Sequence, residues 1–283
     1  MPADAAASRS RLFNLSNPVT LLLFLALTLI TFLAPAAPDP SKTESIPPKS
    51  PQESLATITT KPGLRIELVA AEPLIVDPVA IDWGADGKLW VVEMRDYPMG
   101  MDGNWKPGSR IKVLESTKGD GKYDKATVFL DNLPFATGVT AWRKGALICA
   151  APDIIYAEDT NGDGHADVVQ KIFRGFDTDN YQARVNSLSL GLDNWIYGAN
   201  GLRGGVIHGE ARALGPRNIL GKEVQTSEVD IRGRDFRMNP DTGAFEPESG
   251  LTQQGRCRDD WGNWFGCDNS VPAWQYPIPD HYL

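Results

Sequence analysis

The clearest candidate for chemistry is a polar loop that carries oxygen-bearing side chains at alternate positions. Its candidate ligands are Asp159, Asn161, Asp163 and Asp167. This spacing, with Gly164 at the tight turn, resembles the first half of a calcium-binding loop, and hard oxygen ligands suit calcium. Gln170 stands where an EF-hand carries its bidentate glutamate, which excludes a helical EF-hand. A hairpin loop whose Asp and Asn side chains bond their own backbone is an equally open interpretation.

The same loop pattern occurs earlier in the chain, at residues 115–124. In that copy Ser116 stands in the place of Asp159 and Lys118 in the place of Asn161. Two ligands are lost and a cation is added, so we expect this copy to be free of metal.

A second group of polar side chains follows the ends of short apolar strands. The group combines acids, amides and guanidiniums, which together can hold a polyhydroxylated or carboxylate ligand. Its members are Glu93, Arg95, Asn200, Arg203, Asp268 and Asn269. The alternative is that these residues are solvated loop ends without a ligand.

The strands that precede this second group share a repeated signature, in which a turn rich in Gly, Asp or Asn leads into an apolar strand. The signature occurs at residues 85–91, 144–149, 192–198 and 261–266. Turn-strand units repeated at this spacing are typical of the four-stranded blades of a β-propeller, and a β-sandwich does not repeat them. We therefore predict an all-β fold, a β-propeller in which the repeated strand is the innermost of each blade. The ends of those strands then converge on a central axis.

About four blades fit into the sequence, whereas we expect a parent protein with six. A propeller avoids exposed strand edges by closing its ring. We therefore predict a partial β-propeller over residues 61–283 with an incomplete ring, and we expect the chain to be a fragment.

The N-terminal segment has the features of a secretory signal. Arg9 and Arg11 precede an apolar run from Val19 to Leu33, and small residues follow at positions 34–37. The run is about 15 residues, shorter than the roughly 20 that span a bilayer. We predict a signal peptide over residues 1–37 and a periplasmic or extracellular protein, with an uncleaved membrane anchor as the alternative. Residues 38–60 are rich in Pro, Ser, Thr and Lys, which predicts a disordered linker.

Charge narrows the choice of partner. With 28 Lys and Arg against 36 Asp and Glu, the net charge is -8. Nucleic acids and anionic membranes both select for clustered positive charge, so neither is the expected main partner. A small or neutral ligand fits better, and the membrane is reached only through the N-terminal segment if that segment is not cleaved.

The three cysteines leave two interpretations open. Export permits disulfides, and Cys257 and Cys267 are close enough in sequence to bridge the two arms of one hairpin, which leaves Cys149 unpaired. Alternatively, all three are small buried hydrophobic residues. The sequence contains no CxxCH haem-attachment motif.

Three segments carry a family resemblance: residues 145–156, the loop from Asp159 to Asp167, and residues 260–265. Together they make residues 60–283 similar to the PVC-type haem-binding, membrane-bound dehydrogenase family. The resemblance implies a propeller like that of the glucose and sorbosone dehydrogenases, joined in the full-length parent to helical repeats and a cytochrome c domain. It implies an exported enzyme that oxidises a sugar or related alcohol and passes electrons to that cytochrome. The haem then belongs to the C-terminal domain.

The resemblance also locates a catalytic stretch. Soluble quinoprotein sugar dehydrogenases carry His-Asn-Gly-Gly-Arg before the turn-strand repeat, with the His as general base. In this chain the stretch falls on Ala183–Ser187, which contains no His, so the relatives' pyrroloquinoline quinone mechanism is not expected here. The alternatives are a non-catalytic propeller that binds a glycan or a protein, or an inactive truncated fragment.

Overall fold

The computed structural model describes residues 47–209 and 228–283. The predicted signal peptide and the first part of the predicted linker lie outside the described residues. The described part of the linker contains a short helix, α1 (Pro51–Ala56), none of whose residues is buried. Along the described ranges, no helix is long and apolar enough to cross a membrane.

Strands dominate residues 51–283, which form one compact unit. They are β1 (Pro78–Trp83), β2 (Leu89–Glu93), β3 (Ser109–Glu115), β4 (Lys125–Leu133), β5 (Gly138–Trp142), β6 (Gly145–Ala150), β7 (Asp153–Glu158), β8 (Val168–Phe176), β9 (Asn186–Leu190), β10 (Ile196–Ala199), β11 (Gly205–Gly209), β12 (Val229–Asp230), β13 (Asp235–Asn239), β14 (Ala244–Glu248), β15 (Gln254–Arg258), β16 (Trp264–Cys267) and β17 (Trp274–Tyr276). A 3-10 turn, Asp280–Tyr282, follows the last strand. The predicted all-β fold is confirmed.

The strands form four antiparallel sheets. The first sheet has the order β1-β2-β3-β4, and the third has the order β9-β10-β13-β14. The second runs β5-β6-β7-β8 and continues through β11 to β12, while the fourth contains β15-β16-β17. Each sheet therefore begins as a meander of strands that follow one another in the chain.

We predicted that the repeated turn-strand signature marks the innermost strand of each blade; it marks the second strand of each sheet, and it is the first strands that lie beside one another. The signature corresponds to β2, β6, β10 and β16, and each of these is preceded by another strand: β1, β5, β9 or β15. In the first three sheets the second strand is covered on both faces, so β2, β6 and β10 are buried throughout, whereas β16 is mostly half-buried. Burial on both faces explains their continuous apolar runs. The first strands lack a shared sequence signature, so repetition could not reveal them.

The turns before these second strands fall into two kinds. Gly87, Asn194 and Gly262 have φ values of 76°, 64° and 84°, the left-handed region that Gly and Asn tolerate. Gly145 instead begins β6, and a Cβ built there would lie 1.8 Å from the carbonyl oxygen of Ala157. That glycine is required for close strand contact rather than for a turn.

The first strands of consecutive sheets lie side by side, in the order β1, β5, β9, β15. Side-chain hydrogen bonds join each neighbouring pair. The Asp82 carboxylate accepts a hydrogen bond from the Ala141 amide at 2.8 Å. The Thr140 hydroxyl donates to the Leu188 carbonyl at 2.9 Å, and the Asn186 amide donates to the Gln253 carbonyl at 2.7 Å. Polar side chains thus set the spacing of the four first strands.

Apolar cores fill the spaces between sheets. One core joins Trp90 and Ile111 of the first sheet to Ile148 of the second. Another joins Phe173 of the second sheet to Phe236 of the third. The second sheet is therefore buried on both faces, as the run Gly145–Ala150 requires.

Candidate functional site

A cleft of about 1070 Å³ opens where the first strands meet. Its walls come from β1, the start of β5, residues 181–189, residues 253–256 and residues 267–269, together with Met94 and Tyr97. All four sheets contribute a segment, so the cleft depends on the side-by-side order of the first strands. A volume of this size is typical of a small-molecule site.

Arg184 is the cleft residue with the most unusual surroundings. It is 6% exposed and lies just before β9. One guanidinium nitrogen, Nη2, donates to the Thr178 carbonyl at 2.7 Å. The guanidinium carbon lies 4.9 Å from the ring centroid of Phe135 and 4.6 Å from that of Tyr181, within the range of cation–π attraction. The buried Nε has no hydrogen-bond partner in the described ranges.

No carboxylate of residues 47–209 or 228–283 forms an ion pair with Arg184. Burial lowers the pKa of this guanidinium, and the charges of Tyr181, Asp96 and Asp177 only partly oppose that effect. Asp96 uses its own oxygens elsewhere, accepting from the Phe135 amide at 2.8 Å and the Gly108 amide at 3.1 Å. The cation is therefore held by aromatic rings and one carbonyl.

A second buried arginine on the cleft, Arg256, has an anionic partner, although its Nε, like that of Arg184, has no hydrogen-bond partner in the described ranges. Its Nη1 donates to the Asp235 carboxylate at 2.5 Å and to the Ser249 carbonyl at 2.8 Å. Asp235 also accepts from the Thr252 hydroxyl and from the Asn200 amide. Burial raises the pKa of the Asp235 carboxyl, and Arg256 opposes that shift.

Amides and hydroxyls surround the two arginines. Asn186 donates to the carbonyls of Arg184 and Gln253, and the Ser187 hydroxyl donates to the Asn186 side-chain oxygen. The Gln182 amide donates to the Tyr97 hydroxyl at 2.6 Å. The cleft surface can therefore both donate and accept hydrogen bonds, as a hydroxylated ligand requires.

Asp268 and Asn269, two of the six predicted ligand residues, line this cleft. The Asp268 Oδ1 accepts from the backbone amides of Ser270 and Val271 at 2.6 and 2.7 Å. The Asn269 amide donates to the Gln253 side chain at 3.1 Å, which leaves the exposed Asn269 side chain at the rim.

Glu93 and Asn200 are buried among partners of their own, away from the cleft lining. Glu93 is fully buried, pairs with Lys112 at 2.9 Å and with Arg110, and accepts from the Val76 amide at 2.8 Å. The Asn200 side chain donates to the Arg234 carbonyl and accepts from the Leu202 amide. Both side chains hold loops in place.

The two remaining predicted ligand residues are also outside the cleft lining. Arg203 is exposed and lies 3.9 Å from Asp179, while Arg95 is half-buried. The structure therefore brings together two of the six residues and gives the other four separate environments.

In the polar loop, the candidate calcium ligands bond to the loop itself. Asp159 accepts from the amides of Gly162 and Gly164 at 2.6 and 2.7 Å, and these bonds lower the pKa of its carboxyl. Asp167 accepts from the Thr160 hydroxyl. The Asn161 and Asp163 side chains each accept from the amide two residues further on. Across the described ranges, no three His, Cys, Asp or Glu side chains are grouped to hold a metal ion. These hydrogen bonds match the alternative interpretation, a hairpin loop whose Asp and Asn side chains bond their own backbone. Calcium binding stays a prediction.

Cys257 and Cys267 lie on neighbouring strands but are not cross-strand partners. Cys257 faces Phe265 and Cys267 faces Gln254 in the register of β15 and β16. All three cysteines are free thiols, and of these only Cys149 is buried.

The sequence singled out Ala183–Ser187 only for its missing histidine, although this stretch supplies Arg184, Asn186 and Ser187 to the cleft. The available signal for a polar site was Arg184 followed by the polar residues Asn186 and Ser187. Nothing in a single sequence distinguishes a buried, unpaired arginine from a solvated one.

Comparison with known families gives one match. Residues 50–283 match the family described as a domain of unknown function, DUF7133. A search of curated proteins gives no match. Among solved structures, a crystal structure of a protein from Lactobacillus plantarum is similar, with 10% sequence identity and a TM-score of 0.33, covering 71% of this chain and 70% of that one.

Proposed function

Since this chain belongs to the DUF7133 family, whose description states no function, we propose from its geometry that residues 51–283 are a ligand-binding domain. The proposed ligand is a small polyhydroxylated molecule of the carbohydrate type. The observation that carries this proposal is the cleft of about 1070 Å³ at the meeting point of four sheets.

The chemistry of the cleft wall supports a hydroxylated ligand. Side-chain amides of Gln182, Gln253 and Asn269 and the hydroxyl of Ser187 offer donors and acceptors, while Tyr97 offers an aromatic ring. Sugars combine many hydroxyls with apolar ring faces, so a wall of amides and aromatic rings matches them. The volume admits a ligand larger than one sugar ring.

We further propose that the fold is a β-propeller type. Three observations support this: each sheet begins as an antiparallel meander, the first strands lie side by side, and apolar cores join consecutive sheets. In propellers the first strands of the blades surround the central channel, which is where ligands bind.

Oxidation of a sugar or alcohol, which the resemblance to the membrane-bound dehydrogenases implies, is less well supported than binding. The described cleft wall contains no histidine, and Ala183 occupies the position of the relatives' base. A quinone mechanism of the relatives' type therefore finds no base among these residues, and we derive no step through that cofactor. Electron transfer to artificial acceptors in the presence of sugars and quinone would establish the dehydrogenase hypothesis.

The binding proposal is tested by calorimetric titration of the full 283-residue chain with neutral and acidic mono- and oligosaccharides. The variant Asn269→Ala removes an amide at the cleft rim, and we expect about tenfold weaker binding. The matched control is Asn263→Ala, at the other end of β16, where the side chain donates to Asp259 outside the cleft. Equal loss in both variants, or no saturable binding of any saccharide, would contradict the proposal.

A further inference from the structure

We propose that Arg184 binds the carboxylate of the ligand, so that the cleft selects an acidic sugar or a similar hydroxylated carboxylic acid. This inference rests on the proposed binding function and adds the charge of the ligand to it. It starts from one observation, a guanidinium that lines the cleft, is 6% exposed and lacks an anionic partner in the described ranges.

A buried cation without a counter-ion is costly. Desolvation penalises a charge held away from water, and buried arginines are normally paired with a carboxylate. Phe135 and Tyr181 compensate part of the cost through their ring faces. An anion from outside the chain would supply the missing partner, as at sites that are formed for a charged ligand.

The guanidinium also has N–H donors without an acceptor in the described ranges. Nη2 is engaged with the Thr178 carbonyl, Nε has no partner, and Nη1 makes no hydrogen bond to residues 47–209 or 228–283. The aromatic stack fixes the plane of the guanidinium, because Tyr181 is itself stacked on Trp105 at a centroid distance of 4.8 Å. A planar, immobilised guanidinium with free donors is suited to charge-assisted hydrogen bonds with a carboxylate.

The charges of the residues that line the cleft favour a singly charged anion over a dianion. The positive charge of Arg256 is neutralised by Asp235 at 2.5 Å, so Arg184 is the cation left for a ligand among the described lining residues. Asp268 lines the same cleft and would repel a phosphate dianion more than a carboxylate. The side-chain amides of Gln253 and Asn269 on the same wall can then hydrogen-bond the hydroxyls of the ligand.

The experiment compares two probes that differ in charge and hardly in shape, D-glucuronate and D-glucuronamide, by titration calorimetry of the full chain. D-galacturonate and its amide provide a second pair. We expect the acids to bind about 10- to 100-fold more tightly than the amides, as charge-assisted hydrogen bonds imply. Arg184→Met should abolish this preference, and Arg184→Lys should retain part of it. The control is Arg203→Met, an exposed arginine outside the cleft lining, which should keep the full preference.

The outcomes separate the two proposals. If acid and amide bind the unaltered chain equally well, the carboxylate inference is overturned while the binding function stands. If neither binds although a neutral saccharide does, the carboxylate inference is likewise overturned, and if no saccharide binds, the proposed function itself fails. The comparison of acid and amide on the unaltered chain tests the carboxylate preference even where an Arg184 variant does not fold. A cooperative unfolding transition identifies the variants that are folded. A preference that survives in folded Arg184→Met would also overturn the assignment.

Discussion

Arg184 and Arg256 line the same cleft and are buried to a similar degree, with 6% and 3% of their surfaces exposed. Both guanidiniums lie over aromatic rings. They differ in their anions, because Arg256 is paired with Asp235 at 2.5 Å whereas Arg184 has no such partner in the described ranges. The charge of Arg256 is therefore compensated within the described ranges without a ligand, and that of Arg184 is not.

The contrast between the two arginines separates a charge that stabilises the fold from a charge that is available to a ligand. A buried pair is strongly destabilised when one member is removed, because the other is left uncompensated. Removing a buried charge that is already unpaired leaves no partner uncompensated, so its removal costs little. Stability and affinity measurements should therefore respond in opposite ways at the two sites.

The largest expected effect follows from breaking the pair. Asp235→Ala leaves Arg256 buried without its anion and removes the acceptor of the Thr252 hydroxyl. We expect a loss of about 3–5 kcal/mol in the free energy of unfolding, measured by urea titration. Adding Arg256→Met to this variant should recover part of the loss, since the uncompensated charge is then gone. A double variant less stable than Asp235→Ala would contradict the pairing argument.

Glu93 provides the second test, because the sequence predicted a ligand role for it and the structure gives it internal partners. Glu93→Gln leaves Arg110 and Lys112 without their carboxylate. We expect a loss of about 2–3 kcal/mol in the free energy of unfolding with unchanged affinity of the folded protein for acidic sugars. Weaker sugar binding without a loss of stability would instead support the ligand role.

Arg184→Met should have a much smaller effect on stability. The substitution keeps the apolar stem and removes an unpaired charge, while it loses the bond to the Thr178 carbonyl and the two ring contacts. These contributions oppose one another, so we expect a change within about 1 kcal/mol in the free energy of unfolding. A loss as large as that of Asp235→Ala would mean that Arg184 serves the fold.

Several features of the fold could be predicted from the sequence, for physical reasons. The runs Leu89–Glu93 and Gly145–Ala150 are continuous because their strands are covered on both faces. Turn residues such as Gly87 and Asn194 repeat because three of the four hairpins need a left-handed residue at that point. Repetition therefore identified the sheets and their second strands.

The first strands and the cleft could not be predicted in the same way. β9 and β15 are short and polar, and they are fixed by contacts with other sheets, such as the bond from Asn186 to Gln253. Arg184 differs from a solvated arginine only in its burial between Phe135 and Tyr181. Phe135 is distant in sequence, and Tyr181 is an ordinary neighbouring aromatic residue, so the sequence does not indicate this contact. Asp268 and Asn269 were found because they follow a second strand that ends at the cleft.

The smallest expected effect concerns the thiols, which report on the fold around the cleft without perturbing it. Burial raises the pKa of the Cys149 thiol, while Cys257 is exposed. An alkylating reagent should modify Cys257 in the native protein, because its thiol is exposed. Cys149 should react only after unfolding. Mass spectrometry identifies the modified residue, and a native disulfide between Cys257 and Cys267 would be seen as protection of both.

The most direct test of the role of Arg184 is a crystal structure of the chain with D-glucuronate. We predict a sugar in the cleft with a carboxylate oxygen about 2.7–2.9 Å from a guanidinium nitrogen of Arg184. A sugar bound with its carboxylate turned toward solvent, and Arg184 still hydrogen-bonded to the Thr178 carbonyl alone, would contradict the assignment.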